Sequence, residues 1–299
     1  MRIVVTGVSG QVGAALVARF HKEEDVIPAN RSLIDLAQPN NIAAVLEKLD
    51  PAIIINAAAY TAVDQAESER ELARVVNSVA PGVIARWASA KGVPLIHFST
   101  DYVFDGHGQA PLGEDDATGP LSVYGRTKLD GEDAVRAAGS ISLIVRTSWV
   151  YAATGKNFLR TIARLARERE QLRIVADQIG APTSAALIAE CIQKMLHENL
   201  ESFHDHCAQS NGIVHLTASG ETSWHGFACT IVEGLRKRDV NLTVDKIIPI
   251  KTEDYPTPAK RPLNSRLDLT RLREVFKIAP AHWLDALEPE LDVLAEELR

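Results

Sequence analysis

The sequence predicts an α/β fold built on a doubly wound parallel sheet, and three observations lead to this prediction. Short runs rich in β-branched residues recur along the first half of the chain. Longer segments, whose apolar residues follow helical spacing, separate these runs. The first run is followed directly by a glycine-rich turn. Strand and helix alternating in this way imply right-handed crossovers, with helices on both faces of one sheet.

The individual elements follow from the same patterns. Buried parallel strands are expected at 2–6, 25–30, 52–58, 94–100 and 141–147. Val12, Leu16 and Phe20 recur at helical spacing after the first strand, and residues 66–91 are expected to form one helix. After about residue 150 the pattern loosens, because prolines interrupt shorter elements. The polar, turn-rich stretch 197–212 is expected to be an exposed loop.

Composition excludes several classes of protein. The 299 residues carry a net charge of −7, with 46% hydrophobic and 24% charged residues, which indicates a soluble globular chain that does not bind nucleic acid. Cys191, Cys207 and Cys229 show no paired spacing, so a disulfide framework is not predicted and a reducing cytoplasm fits. His204 and His206 precede Cys207, but structural zinc needs four ligands, and no metal is expected. No signal peptide or membrane span is predicted.

The turn after the first strand has the residues that a dinucleotide requires. Gly7, Gly10 and Gly13 allow a tight turn, a close approach of a pyrophosphate to the backbone, and an open helix N-terminus. Their G-x-x-G-x-x-G spacing differs from the common fingerprint, and the alternative is an ordinary glycine-rich turn. The small residues of 56–61, at the end of the third strand, leave room for a flat ring or a ribose.

These features predict the domain organisation. Residues 1–150 are expected to form a Rossmann-type domain that binds NAD(P), with later segments, about 183–216, returning to it. Residues 151–299 are expected to form mainly a smaller, interleaved C-terminal lobe that binds substrate.

A tyrosine and a lysine in YGRTK indicate the chemistry. Tyr124 and Lys128 are four residues apart and share a helical face. An ammonium near a phenol stabilises the phenolate and lowers the tyrosine pKa, so that the phenol can exchange a proton with a carbonyl oxygen. Thr100, where HFST ends a strand, supplies a hydroxyl beside the same oxygen. The alternative is a solvated helix face with a half-buried tyrosine.

The chain resembles the extended short-chain dehydrogenase/reductases and, among them, the dTDP-4-dehydrorhamnose reductases. The resemblance runs from Met1 to about Leu269 and rests on GQVG, NAAAYTAVDQAES, STDYVFDG, YGRTKLDGE, RTSWVY, DQIGAPTSA, TSWHGFA and RPLNSRLD. It implies reduction of the 4-keto group of dTDP-4-dehydro-6-deoxy-L-mannose to give dTDP-L-rhamnose, with hydride from NADPH or NADH. The implied partner is a dTDP-sugar in the cytoplasm, with a homodimer as a possible assembly.

The resemblance also assigns roles to individual residues. For the cofactor, it places Gly10, Gln11 and Val12 at the pyrophosphate, Asp35 and Leu36 beside the adenine, and Ala59, Tyr60 and Thr61 along the molecule. For the reaction, it places Thr100 and Asp101 at the sugar, Tyr124 as proton donor to O4, Lys128 at the nicotinamide ribose, and Trp149 against the substrate.

One departure from the family concerns the second strand. The family commonly has an acidic residue near Asn30, and here the carboxylate is absent. A carboxylate would repel the 2′-phosphate of NADPH, whereas Arg31 offers a guanidinium there. We therefore expect NADPH to serve at least as well as NADH. The alternative is that Arg31 points into solvent and Asn30 serves the ribose.

Other residues keep two interpretations. Arg261 could bind the substrate diphosphate, since arginine suits such oxygens, or could be a surface residue ordered by flanking prolines. Trp87, Trp224 and Trp283 are interpreted as core or lobe-packing aromatics, because tryptophan buries a large area.

Two competing functions stay open at the level of sequence. The same tyrosine, lysine and threonine would serve a reductase or an epimerase of another 4-keto nucleotide sugar. The regulatory β subunit of methionine adenosyltransferase, which resembles this family, represents a non-catalytic NADP-binding alternative. For the first alternative only the substrate pocket decides, whereas turnover of a 4-keto nucleotide sugar separates an enzyme from a binding subunit.

Overall fold

The computed structural model of the chain describes residues 1–21, 24–197 and 200–299. Its strands are β1 (Arg2–Thr6), β2 (Asp25–Ala29), β3 (Ile53–Asn56), β4 (Leu95–Thr100), β5 (Ser142–Thr147), β6 (Val150–Tyr151), β7 (Gln171–Val175), β8 (Ile179–Gly180), β9 (Thr183–Ser184), β10 (Ile213–His215), β11 (Thr222–Ser223), β12 (Lys246–Ile250) and β13 (Asn264–Ser265). Its α-helices are α1 (Gln11–Phe20), α2 (Ile42–Leu49), α3 (Val63–Ala66), α4 (Arg70–Arg74), α5 (Ala80–Lys91), α6 (Val123–Ala137), α7 (Phe158–Glu168), α8 (Ala185–His197), α9 (Leu200–Gln209), α10 (Trp224–Arg236), α11 (Thr270–Val275) and α12 (Trp283–Leu298).

The central sheet confirms the predicted fold class. Among the described residues, six strands form it in the order β2, β1, β3, β4, β5, β10, and each neighbouring pair is parallel. The chain leaves β1 toward β2 and then crosses to β3 on the other side of β1. In this strand order, the switch point between β1 and β3 opens a crevice at the carboxyl ends of the strands.

Both faces of the sheet are buried, which explains the uninterrupted apolar runs of its strands. Ile3 and Val5 of β1 belong to one core cluster, together with Leu16 of α1. Val4 points to the opposite cluster, together with Leu46 of α2. Successive side chains of a strand alternate between faces, so the run that follows Arg2 serves both layers.

Two expected boundaries are wrong. The helix expected over 66–91 begins at Arg70, and a π-helical turn, Val75–Val79, joins α4 to α5. The exposed loop expected over 197–212 is helix α9 over most of its length. Phe203 and Cys207, four residues apart, are buried in the main core cluster, and this apolar face outweighs the polar residues around it.

The second half of the chain builds three small sheets among the described residues. β8 pairs with β11 and β13, β7 pairs with β12, and β6 pairs with β9. Meanwhile β10 adds to the edge of the central sheet beside β5, so the two halves interleave. Within the described part of the chain, no helix has the length and apolar character that crossing a membrane requires.

Candidate active site

The glycine turn after β1 accepts only glycine at two of its positions. Gly7 has a φ of +71°, and a Cβ there would lie 2.6 Å from the main chain of Ala57. A Cβ on Gly13 would lie 2.3 Å from the carbonyl oxygen of Gly7. The amide of Gly10 donates to that same oxygen at 2.9 Å. The turn therefore packs directly against the loop after β3 and leaves bare backbone facing the crevice.

The N-terminus of α1 fits a pyrophosphate. Gly10 precedes the helix without a capping side chain, so the first-turn amides of Gln11, Val12 and Gly13 have no partner within the helix. The Oε1 atom of Gln11 is also buried without a partner among the described residues, and as an acceptor it suits a ribose hydroxyl rather than a phosphate. Unpaired donors and the helix dipole favour an anion at this point.

The residues after β2 stabilise their own loop. Asn30 Oδ1 accepts hydrogen bonds from the amides two and three residues later, at 3.0 and 3.2 Å. Asp35 Oδ1 accepts from the amide two residues later at 3.0 Å, and Leu36 is buried. The Arg31 side chain is 85% exposed, and its Nε lies 3.9 Å from Asp35 Oδ1. Arg31 is thus an exposed guanidinium with one weak ion pair.

A residue that sequence reasoning missed fixes the loop after β3. Asn77, fully buried in the π-helical turn, accepts from the amide of Tyr60 at 2.8 Å. Its Nδ2 donates to the carbonyl of Tyr60 and to Thr127 Oγ1, both at 3.1 Å. Ala59 is half-buried and Thr61 is exposed beside this clamp. Such turns frequently mark functional sites, but no pattern in the sequence indicates this one.

Thr100, Asp101 and Tyr124 converge where β4 ends. Thr100 Oγ1 donates to Asp101 Oδ1 at 3.0 Å. Burial raises the pKa of Tyr124 above its ordinary value, a hydrogen bond with Thr100 opposes this rise, and the charge of Asp101 adds to it. Burial also raises the pKa of Asp101 to about 6, against hydrogen bonds from Ser265 and Thr100. The phenol of Tyr124 is therefore protonated across neutral pH.

Lys128 lies on the same side of α6, fully buried. Its Nζ donates to the carbonyl oxygen of Phe98 at 2.6 Å and lies 3.5 Å from His97 Nε2. Burial lowers the pKa of Lys128 to about 8, and the charge of Glu132 opposes this. The expectation that Lys128 lowers the pKa of Tyr124 is wrong for this arrangement. The amine is directed at the main chain of β4, and burial of the phenol dominates.

Two glycines let α6 approach its neighbours. A Cβ on Gly125 would lie 2.2 Å from the carbonyl oxygen of Tyr102, and one on Gly131 would lie 2.1 Å from that of Asn77. Ser122 caps the helix by accepting from the amide of Gly125 at 3.2 Å. These contacts explain the two glycines of YGRTKLDGE and hold Tyr124 against the end of β4.

Trp149, two residues after the end of β5, forms an aromatic wall with Trp224. It has a φ of +50° and stacks on Trp224, with ring centroids 3.6 Å apart and planes 11° apart. A Cβ on Gly180 would lie 2.7 Å from Trp149, and Gln178 accepts from the indole N–H of Trp224 at 3.1 Å. The interpretation of Trp224 as a packing aromatic is incomplete, because one face of its ring supports Trp149.

The other two tryptophans lie away from this wall. Trp283 is buried in the main core cluster, and Trp87 is half-buried against the opposite cluster. The indole N–H of Trp87 donates to Glu47 at 3.1 Å. Both agree with the interpretation of these residues as packing aromatics.

Arg261 occupies a place that neither interpretation foresaw. Its Nη2 donates to Asp64 Oδ2 at 2.7 Å, and its Nη1 donates to Asp64 Oδ1 at 3.0 Å and to Thr257 Oγ1 at 2.6 Å. The hydrogen bond with Arg261 lowers the pKa of Asp64. A bidentate pair thus ties the C-terminal segment to helix α3.

The burial of Asp101 predicts a measurable cost in stability. A pKa raised from 3.8 to about 6 corresponds to about 3 kcal/mol lost when the carboxyl is ionised. The loss is absent below about pH 4, grows between pH 4 and 6, and is complete above. Asp101→Asn is therefore expected to raise the free energy of unfolding at pH 8, by up to about 3 kcal/mol, but not at pH 4. Urea unfolding at both pH values measures it, and equal destabilisation at both would contradict it.

Comparison with known proteins assigns the chain to a family. The family model described as RmlD substrate binding domain matches residues 1–296. The dTDP-4-dehydrorhamnose reductase of Burkholderia thailandensis is 46% identical over 287 residues, which cover 95% of each chain.

Solved structures agree with this assignment. A dTDP-4-dehydrorhamnose reductase from Clostridium acetobutylicum superimposes with a TM-score of 0.88 at 34% identity, covering 98% of this chain and 99% of that one. The dTDP-4-dehydrorhamnose reductase of Bacillus anthracis in complex with NADP gives a TM-score of 0.87 at 34% identity, covering 97% of this chain and 98% of that one. The chain therefore belongs to the RmlD substrate binding domain family, together with these dTDP-4-dehydrorhamnose reductases.

Proposed function

We propose that the chain reduces the 4-keto group of dTDP-4-dehydro-6-deoxy-L-mannose to give dTDP-L-rhamnose, with NADPH or NADH as cofactor. The observation that carries the proposal is the meeting of Thr100, Tyr124 and Lys128 at the end of β4, within a family of nucleotide-sugar reductases. The related dTDP-4-dehydrorhamnose reductases suggest the substrate, and the glycine turn offers a place for the cofactor.

The chain's own residues perform the acid chemistry. When bound, the nicotinamide supplies a hydride to the carbonyl carbon. Tyr124, a phenol at neutral pH, donates its proton to O4 as the carbonyl becomes an alcohol and is then reprotonated from solvent. Thr100 would hold the same oxygen by turning its one hydroxyl proton from Asp101 to O4. Lys128 directs its remaining N–H donors to the nicotinamide ribose.

The two halves of the chain divide the binding. Residues 1–150, with about 183–216, hold the cofactor, and 151–299 hold most of the sugar nucleotide. The cofactor residues are Gly7, Gly10, Gln11, Val12, Gly13, Asn30, Arg31, Asp35, Leu36, Ala59, Tyr60, Thr61, Tyr124 and Lys128. Trp149 and Asp101 contact the sugar, and Arg261 binds the diphosphate by exchanging its pair with Asp64. The enzyme acts in the cytoplasm, with a homodimer as its assembly.

Arg31 is expected to set the preference for NADPH. Its exposed guanidinium follows β2 without the carboxylate that would repel a 2′-phosphate. A charge-assisted hydrogen bond there contributes about 1.5 to 3 kcal/mol, so Arg31→Ala should lower kcat/KM for NADPH about 10 to 100-fold. NADH, which lacks the phosphate, is the internal control. A strong preference of the wild type for NADH, or unchanged NADPH efficiency in the variant, would mean that Arg31 does not contact the cofactor.

Trp149 is expected to bind the sugar rather than align the ketone. Trp149→Ala should raise KM for the nucleotide sugar by about tenfold and change hydride transfer from bound substrate less than that. Trp149→Phe keeps a ring against Trp224 and serves as the matched control. Single-turnover kinetics separate the two steps, and a larger loss in hydride transfer than in binding would refute the assignment.

A substrate comparison tests the proposed function as a whole. The purified chain is mixed with NADPH and either the dTDP-linked or the UDP-linked 4-keto sugar, and NADPH oxidation is followed. We expect rapid oxidation with the dTDP-sugar. Faster oxidation with the UDP-sugar would favour a sibling reductase, isomerisation without oxidation would favour an epimerase, and binding without turnover would favour a regulatory subunit.

A further inference from the structure

Buried polar side chains form a line beneath the candidate site, from β1 to α6. Thr6 Oγ1 donates to Asn56 Oδ1 at 2.6 Å, Asn56 Nδ2 lies 3.0 Å from His97 Nδ1, and His97 Nε2 lies 3.5 Å from Lys128 Nζ. Each of the four residues is at most 1% exposed. Thr6, Asn56 and His97 occupy paired positions on adjacent strands, which explains the line.

The hydrogen bonds of this line have a fixed direction. Thr6 Oγ1 accepts from the amide of Ala58 at 3.3 Å, so its own proton goes to Asn56 Oδ1. The amide nitrogen of Asn56 therefore faces His97 and donates to Nδ1. Burial lowers the pKa of His97 far below its ordinary value, so the ring is neutral and carries one proton. That proton is on Nε2, the atom that faces Lys128.

This direction constrains the amine of Lys128. An ammonium has only donors, so it cannot form a hydrogen bond with an imidazole that presents Nε2–H. One of its protons goes to the carbonyl of Phe98. We propose that His97 is a positioning residue for Lys128. Asn56 and Thr6 hold the ring with its Nε2–H toward the amine, so His97 offers the ammonium no acceptor. The other ammonium protons are thereby left for the pocket.

The other charged neighbours of Lys128 are held apart from this line. Glu132, one turn further along α6, raises the pKa of Lys128. The carboxylate of Glu132 forms a buried ion pair with Arg146 of β5, at 2.7 Å. On the pocket side, Asp101 and Tyr124 are the titratable groups. Substitutions of Thr6 or His97 leave these four charged or titratable side chains in place. A change in the pKa of Lys128 therefore reports on His97.

The first experiment measures the tautomer without any turnover. The full chain is labelled with ¹⁵N in histidine, and the His97 signals are identified by their absence in His97→Gln. We expect a protonated Nε2 and an unprotonated, hydrogen-bonded Nδ1. A proton on Nδ1 in the wild type would overturn the proposal.

The second experiment measures the pKa of Lys128 by NMR with labelled lysine, assigned by its absence in Lys128→Met. In His97→Gln the side-chain oxygen can accept from the ammonium, so the pKa of Lys128 should rise by about one to two pH units. Thr6→Val removes the hydroxyl that fixes the orientation of Asn56, so it should also raise the pKa of Lys128. Thr6→Ser keeps the hydroxyl and should leave that pKa unchanged. If either His97→Gln or Thr6→Val folds and the pKa of Lys128 is unchanged in it, the proposal is overturned.

The inference rests on the proposed function through the catalytic role of Lys128, and activity is therefore recorded separately. The basic limb of the kcat profile should move with the measured pKa of Lys128. If the tautomer and the shift are found but no 4-keto nucleotide sugar is reduced, the function fails and the positioning stands. If the chain is active but Lys128 does not respond to His97, the positioning alone fails.

Discussion

Tyr124→Phe is expected to lower kcat by about 10² to 10⁴-fold and to leave the Kd for NADPH nearly unchanged. The substitution removes the proton that O4 requires and keeps the ring that packs, edge to face, on Tyr102 with centroids 5.5 Å apart. Steady-state kinetics give the first quantity, and fluorescence titration of the cofactor gives the second.

The neighbouring tyrosine offers a matched control for this prediction. Tyr102 has a pKa raised by burial, as Tyr124 has, but its backbone belongs to the turn after β4. Tyr102→Phe should retain most of the turnover. Wild-type turnover in Tyr124→Phe, or an equal loss in both variants, would show that the proton comes from elsewhere.

Lys128→Met is expected to lower both the affinity for NADPH and the turnover, because the ammonium would hold the nicotinamide ribose and so align the hydride donor. Loss of hydrogen bonds from a charged donor to the ribose should weaken NADPH binding about 10 to 100-fold. Since the pKa of Lys128 is about 8, cofactor affinity of the wild type should fall as pH rises through this value, when the ammonium loses a donor. In Lys128→Met this pH dependence should be absent.

An exposed cation on the same helix separates local from general charge effects. Arg126 lies on the outer face of α6, and Arg126→Met removes the same charge there. Its cofactor affinity and pH dependence should match the wild type. Unchanged NADPH affinity in Lys128→Met, or an equal change in Arg126→Met, would contradict the proposed contact with the ribose.

Strands of the central sheet were predictable from sequence, because burial on both faces requires continuous apolar runs. β1 to β5 begin and end within two residues of the expected positions. Helix α9 was missed, since among its residues with described side chains Phe203 and Cys207 alone belong to the core cluster. A periodic pattern with so few apolar positions does not distinguish a helix from a loop.

The sequence predicts which residues belong to the candidate site better than it predicts the contacts between them. Turn glycines and the YGRTK spacing are local signals, readable along the chain. The pair between Arg261 and Asp64 joins residues 197 positions apart, and no local pattern encodes it. The stack of Trp149 on Trp224 likewise depends on how two distant segments fold together. Burial, rather than Lys128, determines the pKa of Tyr124, and spacing does not reveal burial.

The proposed hydride transfer to C4, with Tyr124 as proton donor, is tested most directly by isotope labelling. The chain is incubated with dTDP-4-dehydro-6-deoxy-L-mannose and NADPH carrying deuterium at the transferred position of the nicotinamide, and the product is examined by NMR. We expect dTDP-L-rhamnose with deuterium at C4 in the wild type, and product formed at least about 10²-fold more slowly in Tyr124→Phe. A product without deuterium at C4, or the same rate in both proteins, would contradict it.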